Sequence, residues 1–346
     1  MHLQLYTDEE GFDALREQWN ALLARSRSNT FFLTWEWQTT WWRCLGEGDL
    51  YLLAWYEAGR LAAIAPLYLH DDSDGRRRFD LVGCVEVSDY LDIIVAAGWE
   101  DAAHTALLDW LASDNCPQWD MIGLCNLPES SLTHRRLPEQ AAIRGWQAVT
   151  TLEDVCPLIQ LPGSFETYLQ EILSKKQRHE VRRKLRRIEE EAAVRWYAVD
   201  GSADLARQTD AFIHLHRLSK DEKESFMTPE MEAFFREAIR VMHQAGWLYL
   251  AFIEINGAKA AAMLGFIYDG RLLVYNSGYD PASYAELSPG IVLTARIIED
   301  AIQRGLRVFD FLQGNEIYKY RFGAQDTAVY STVVRRTQDL RNDHNA

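Results

Sequence analysis

Apolar positions along this chain recur with two periods, one near 3.6 residues and one of 2, and the switches between them mark helices and strands. Residues 2–6 alternate as a short strand, and Phe12, Leu15, Trp19 and Leu22 share one face of a helix over 8–23. Thr34 stands where a second helix needs an N-cap, and that helix contains Trp35, Trp37, Trp41 and Trp42. Residues 51–56 and 61–69 alternate about Glu57-Ala58-Gly59, which predicts a hairpin. Arg76, Arg77 and Arg78, following Asp71, Asp72 and Asp74, read as a solvated loop. Further on, Ile93-Ile94-Val95 is a strand, 101–111 a helix, 119–124 a strand, 131–144 a helix and 146–150 a strand.

The composition changes at Leu161-Pro162-Gly163, which sets the expected domains at 1–161 and 162–346. Ser164 caps a short helix, and a strongly basic helix over 175–187 follows, closed by Glu189-Glu190-Glu191. After a strand over 194–199 come helices over 203–218 and 229–245. Strands over 248–255, 259–267 and 272–278 are separated by Asn256-Gly257 and Asp269-Gly270, strong short hairpin signals. Ser288 as N-cap, Pro289 in the first turn and Gly305 just past the end bound a helix with Ile291, Ala295, Ile298, Ala301 and Ile302 on its buried face. A strand over 308–311 and a polar cluster from Gly314 to Arg321 complete the pattern. Tyr51-Leu52, Gly59 and Ala62-Ala63 match Tyr249-Leu250, Gly257 and Ala260-Ala261 at one constant offset, and each set is followed by a helix and a strand carrying an aspartate, Asp120 or Asp310. The chain therefore reads as two copies of one α/β unit, each a mixed, mainly antiparallel sheet flanked by helices.

Composition narrows the classes. An apolar fraction of 48% with 12 Trp, 15 Tyr and 14 Phe supplies ample core for 346 residues. The formal charge of −15 argues against diffuse binding to nucleic acid or anionic lipid, although a local basic patch is not excluded by it. Cys44, Cys84, Cys116, Cys125 and Cys156 are scattered without a Cys-x-x-Cys pair, so neither a metal site nor a disulfide framework is expected, and a cytoplasmic setting fits. No signal peptide or membrane span is expected, since nowhere do about 18 uninterrupted apolar residues occur.

Three stretches carry candidate chemistry. The start of the helix at Ser288, Gly290 and Ile291 offers unpaired N–H groups and the positive end of a dipole, which suits a phosphate; an ordinary well-capped junction reads the same way. Lys175, Lys176, Arg178, Arg182, Arg183, Lys184, Arg186 and Arg187 form a patch for an anionic partner, or else a helix pinned to acidic neighbours. The Trp35–Trp42 segment is a stacking platform or core, and Asp89 and Tyr90 either face a pocket or terminate a strand.

Taken together, the segments 32–42, Ala65-Pro66-Leu67, Ser88-Asp89-Tyr90, 174–187, Ser277-Gly278-Tyr279-Asp280, Ser288-Pro289-Gly290, Phe309-Asp310-Phe311 and Tyr318-Lys319 resemble the tandem GNAT-fold acyltransferases of the CelD-like branch, associated with cellulose and exopolysaccharide biosynthesis. The chain is more distantly similar to the Fem-like aminoacyltransferases. The resemblance implies N-acyl transfer from acetyl-CoA or another acyl-CoA, with no metal, to a small-molecule amine or saccharide acceptor. It implies a donor site at Ser288, Gly290 and Ile291, with Tyr275 and Ser277 offering backbone groups to the pantetheine and thioester. Lys319, Tyr318, Glu316 and Asp280 become the catalytic candidates. Asp89, Tyr90 and Trp37 are expected on the acceptor side, as are Lys175, Arg178 and Arg182 toward a carrier protein or tRNA. It further implies that Lys319→Ala abolishes transfer with little loss of melting temperature.

The phosphate loop departs from the family's pattern. Only one glycine remains, Pro289 replaces an N–H, and Glu286 is acidic where the family has Gln or Arg. Two alternatives follow: a non-catalytic scaffold of a polysaccharide synthesis complex, and a transferase using an aminoacyl-tRNA donor.

Overall fold

A computed structural model describes residues 1–84, 87–201 and 204–336. In chain order the elements are β1 (His2–Tyr6), α1 (Glu10–Leu23), α2 (Trp35–Leu45), β2 (Asp49–Glu57), β3 (Arg60–Asp71), β4 (Arg77–Leu81), β5 (Ile94–Val95), α3 (Glu100–Ala112), β6 (Met121–Pro128), α4 (Thr133–Ile143) and β7 (Gln147–Gln160). They continue with α5 (Phe165–Thr167), α6 (Lys175–Glu191), β8 (Val194–Ala198), α7 (Leu205–Leu218), α8 (Asp221–Phe226), α9 (Pro229–Gln244), β9 (Leu248–Ile255), β10 (Ala258–Tyr268), β11 (Arg271–Tyr279), α10 (Pro289–Gln303), β12 (Val308–Asp310), α11 (Ile317–Arg321) and β13 (Gln325–Arg335).

The chain divides into two compact units, Met1–Asp154 with the stretch from Ala328 onward, and Val155–Thr327. The composition change at 161/162 lies a few residues beyond the first division, and the end of the chain belongs to the first unit.

In the first unit the strands run β1-β2-β3-β4-β6, all antiparallel neighbours except β4 and β6, which are parallel. The second unit repeats this order as β8-β9-β10-β11-β12, again with its last pair parallel. Each unit then gains one antiparallel strand: residues 329–335 of β13 pair with β6, and residues 158–160 of β7 pair with β12. The repeat seen in the sequence is thus a repeat of topology, with Gly59 and Gly257 in equivalent hairpin turns at φ of 76° and 82°.

The tryptophan helix is core. Trp37 and Trp41 have no exposed surface, Phe31 and Phe32 are equally enclosed, and the Phe32 and Trp37 rings meet edge-on at 5.1 Å. Each such side chain removed from water contributes roughly 2–3 kcal/mol. Trp19 Nε1 donates to the Leu33 carbonyl at 2.8 Å and Trp37 Nε1 to Ser88 Oγ at 2.9 Å, so their polar edges remain satisfied. In the second unit Leu272, Phe309, Phe311, Ile297, Ile298 and Ile253 form the centre of the core, and Tyr168 OH donates to the Phe322 carbonyl at 2.8 Å.

Several expectations change. Arg77 and Arg78 begin β4 and are not loop residues, because Arg78 Nε reaches Asp80 Oδ1 at 2.8 Å within the sheet. The strand expected at 93–95 shrinks to Ile94–Val95, since Asp92 is buried and receives Thr133 Oγ1 at 2.6 Å and Ser28 Oγ. β7 extends ten residues beyond its expected end, and α8 and β13 were not expected at all. The helix expected from Ala203 starts at Leu205, with Asp204 as cap, and Ala203 lies outside the described residues. Cys84 and Cys125 are joined in a disulfide, which corrects the expectation of five free thiols; Cys44, Cys116 and Cys156 are free. No helix among the described residues is long and apolar enough to cross a membrane.

Candidate functional site

The candidate site lies in the second unit, where β11 parts from β12. Their pairing covers only Arg271↔Val308 to Leu273↔Asp310. Just beyond it, the β10–β11 register steps from Gly265↔Val274 to Leu264↔Asn276, so Tyr275 is the extra residue of a bulge. Gly265 is required opposite this bulge, because a Cβ there would stand 2.5 Å from the Leu273 carbonyl oxygen. Gly278 is required for a different reason: its Cβ would stand 2.4 Å from the backbone nitrogen of His216, so α7 lies directly on the strand.

Between this strand and the start of α10 is a cavity of about 350 Å³. Ala262 and Met263 of β10, Ser277, Gly278 and Tyr279 of β11, the turn from Ser288 to Ile291, and Tyr318 form its walls, which are mainly apolar. A Cβ at Gly290 would meet nothing within 4 Å, so the missing side chain leaves the cavity open at the helix N-terminus. Ser288, Gly290, Ile291 and Ser277 therefore converge on one space, whereas the Tyr275 ring turns away to stack on Phe235 at 5.6 Å.

Ser288 is not the side-chain cap that the sequence suggests. Its backbone is left-handed, φ 54° and ψ 54°, where a capping residue is extended, and it makes no side-chain cap hydrogen bond. Its hydroxyl instead accepts from Lys184 Nζ of α6 at 2.7 Å. Arg187 of the same helix donates to the Glu286 carbonyl at 3.3 Å. The cationic charge missing from the loop sequence is thus supplied by α6, one helix away in space. At this helix start Pro289 carries no N–H and those of Ile291 and Val292 donate to the Ser288 carbonyl at 3.1 and 3.2 Å, so the Gly290 N–H, the positive end of the dipole and the lysine beside it are what favour an anion.

Most of the remaining basic helix is occupied internally. Arg182 pairs with Glu166 at 2.6 Å, Arg183 with Glu180 at 2.8 Å, Arg186 with Glu190 at 3.6 Å and Arg187 with Glu191 at 2.7 Å, while Arg178 donates to the carbonyls of Leu169 and Gln170. This is the pattern of a helix pinned to acidic neighbours. Lys175 stands exposed in its first turn.

The polar cluster after β12 is organised by Lys319. Its side chain is 3% exposed, and Nζ donates to the carbonyls of Leu312 at 3.1 Å, Gln313 at 2.6 Å and Gly314 at 2.9 Å, with Glu316 Oε2 also at 2.9 Å. Three ammonium protons face four acceptors, so this lysine holds the turn together. Tyr318, one residue before, reaches the cavity, its ring edge-on to Phe311 at 5.9 Å. Burial, with a smaller contribution from the Glu316 carboxylate, pushes its hydroxyl above the usual tyrosine value, which keeps it a proton donor at neutral pH.

Asp280 is not among these groups. It lines a separate depression of about 410 Å³ with Arg207, His214, Glu254 and Lys259, and hydrogen bonds from Ser283 and the Ala282 N–H hold its carboxyl below the usual range. In the first unit, Trp37 has no exposed surface and Tyr90 is 7% exposed, both packed with Phe32. A side chain so enclosed packs and does not meet a ligand, which corrects the expectation that Trp37 lines an acceptor site; Asp89 beside them is half-buried. Among the described residues no three His, Cys, Asp or Glu side chains converge as metal ligands.

Sequence reasoning missed two contacts: Lys184 with Ser288, and Lys223, whose Nζ donates to the Ser277 carbonyl at 2.5 Å. Lys184 was one cation among many in the basic helix, and Lys223 lies on α8, whose six residues are too short for a periodic signal.

Residues 175–320 match the family described as Acetyltransferase (GNAT) domain. No curated protein matches the chain in sequence. Among solved structures, the crystal structure of FemX superposes with a TM-score of 0.71 at 10% identity, covering 99% of each chain. The C-terminal domain of a putative lysylphosphatidylglycerol synthetase from Agrobacterium fabrum follows at 0.58 and 12%, covering 96% of this chain and 94% of that one. L-PGS from Bacillus licheniformis gives 0.56 and 9%, covering 95% and 92%. At these identities the likeness is one of fold. The stretch from Lys175 to Tyr320 is thus matched to a GNAT acetyltransferase domain, within a chain that has the fold of FemX over nearly its whole length.

Proposed function

We propose that the second unit transfers an acyl group from an acyl-CoA to an amine. The observation that carries this reading is the apolar cavity running from the bulged strand β11 to the open N-terminus of α10, with Lys184 at the phosphate end and Tyr318 at the other. The pyrophosphate would rest on the Gly290 N–H at the positive end of α10, with Lys184 beside it, and the thioester would lie along Ser277 and the backbone at Tyr275. An attacking amine forms a C–N bond to the thioester carbonyl carbon. Backbone N–H groups at the bulge hold the oxyanion, the C–S bond breaks, and the Tyr318 hydroxyl gives its proton to the thiolate. Lys319 positions Tyr318 by fixing the turn, and Glu316 anchors Lys319.

The CelD-like motifs favour an amino group on a saccharide or envelope precursor as acceptor. The internal pairing of α6 weighs against a tRNA or carrier-protein donor, because cations already neutralised by Glu166, Glu180, Glu190 and Glu191 add little attraction for a polyanion. The cytoplasmic setting loses its argument from free thiols with the Cys84–Cys125 bond.

The test is thermal unfolding with CoA, acetyl-CoA and long-chain acyl-CoA at about 1 mM, where a ligand of about 10 µM affinity stabilises the native state by about 2.7 kcal/mol. The shift should vanish in Gly290→Glu, whose own melting temperature should stay near that of the parent because the added side chain enters open space. No shift with any thioester would end the acyl-CoA reading.

A further inference from the structure

Lys223 lies on α8 and reaches back to the strand at the cavity. Its Nζ donates to the carbonyl of Ser277 at 2.5 Å, and Ser277 is a cavity wall. Both ends of this segment are fastened. Ser219 Oγ accepts from the Tyr279 N–H at 2.9 Å before the helix, and Arg217 donates to the Met227 carbonyl at 3.0 Å after it. The charged and titratable groups facing the amine are Lys220 from the start of its own helix, His216 from α7, and Glu316 from the turn after β12. His216, whose Nε2 is 3.0 Å from Asn276 Oδ1, is pushed down to about 4 by burial and by Lys223, so it stays neutral. Burial, then Lys220, push the Lys223 ammonium down to about 8, and Glu316 opposes them.

We propose that Lys223 is a further catalytic residue of this cavity, the group that takes the proton from the attacking nitrogen of the acceptor. The proposal rests on the acyl-transfer reading of the same site. A neutral Nζ can keep donating one N–H to Ser277 while its lone pair remains free. As the acceptor nitrogen bonds to the carbonyl carbon, its proton passes to Nζ; the C–S bond breaks and Tyr318 protonates the thiolate. Lys223 ammonium and Tyr318 phenolate then return to their starting forms by proton exchange through water. The other candidate bases are placed differently: Asp280 lines the separate depression, and Glu316 is engaged by Lys319. A base works best when its pKa is near the operating pH, the condition burial creates here.

The test is acetylation of the intact full-length protein by sulfosuccinimidyl acetate between about pH 6 and 10, read by peptide mass mapping, with exposed Lys175 as internal reference. Lys223 labelling should rise with a midpoint near 8, well below the ordinary lysine value of about 10.4. CoA at about 1 mM should slow labelling of Lys223 at least tenfold and leave Lys175 unchanged. A midpoint at the ordinary lysine value overturns the proposal. So does labelling indifferent to CoA when CoA has raised the melting temperature, since Lys223 would then lie outside the occupied site. If CoA leaves the melting temperature unchanged, the donor reading fails first and the proposal falls with it.

Discussion

The two units share one strand order and brace the region beside their parallel strand pair differently. In the first, the described side chains there are tied together by hydrogen bonds and a cross-link. Gln38 Nε2 donates to the carbonyls of Phe32 at 2.8 Å and Val82 at 3.0 Å, Asn126 Nδ2 to Ser88 at 2.6 Å, and the Cys84–Cys125 bond ties the chain after β4 to β6. Beside Asp92 and His104 there is a space of about 10 Å³, room for a single water. In the second unit small residues stand along the strand and helix that face each other, Ala262, Gly278 and Gly290, and about 350 Å³ is open. Topology is therefore common property of the repeat. In the second copy, small side chains at a few positions leave room for a ligand.

The strongest way to break this comparison is to remove the cross-link. Replacing Cys84 and Cys125 by Ser releases a connection across 41 residues and should destabilise the first unit by about 3–4 kcal/mol. Hydrogen exchange should show protection lost at β4 and β6 and kept at β10 and β11. Equal losses in both units would mean that the cross-linked region is not a local feature of the first.

A smaller effect is expected at Lys319. Lys319→Met removes the donor from the buried Leu312 carbonyl and the half-buried carbonyls of Gln313 and Gly314 and should cost the second unit about 2–3 kcal/mol. This replaces the expectation of lost transfer at unchanged melting temperature. A denaturation midpoint within error of the parent would return Lys319 to a direct role in the reaction.

The smallest effect sharpens the comparison at the phosphate end. Lys184→Met should leave stability within about 0.5 kcal/mol and weaken CoA roughly tenfold, about 1.4 kcal/mol. Calorimetric titration would measure it, and unchanged affinity would remove Lys184 from the donor site.

Much of the fold was legible because it is local. The hairpins at Asn256-Gly257 and Asp269-Gly270 formed where turn chemistry places them, and α6 begins at Ser174 with a complete capping box. The site was legible in part. Gly290 and Tyr318 meet at one cavity, but Asp280, close in sequence to Ser277, lies on another, because β11 ends at Tyr279 and the chain turns away. β13 was missed although Val329, Thr332 and Val334 are buried; its register depends on β6, some two hundred residues earlier.

The sequence alone determined most of the elements, the repeat and the positions of the glycines, since propensity, period and turn chemistry act over a few residues. Tertiary structure decided which charges remain available. Eight cations in α6 look alike in the chain, yet most of them meet carboxylates or backbone carbonyls, and Lys184 reaches Ser288 as well as Glu180 at 3.5 Å. Lys319 and Lys223 are both lysines with buried amines. One is saturated by three carbonyls and a carboxylate, and the other, with one carbonyl and a nearby lysine, has its charged form disfavoured. Desolvation and Coulomb interactions act between groups brought close by folding, at distances unrelated to separation along the chain.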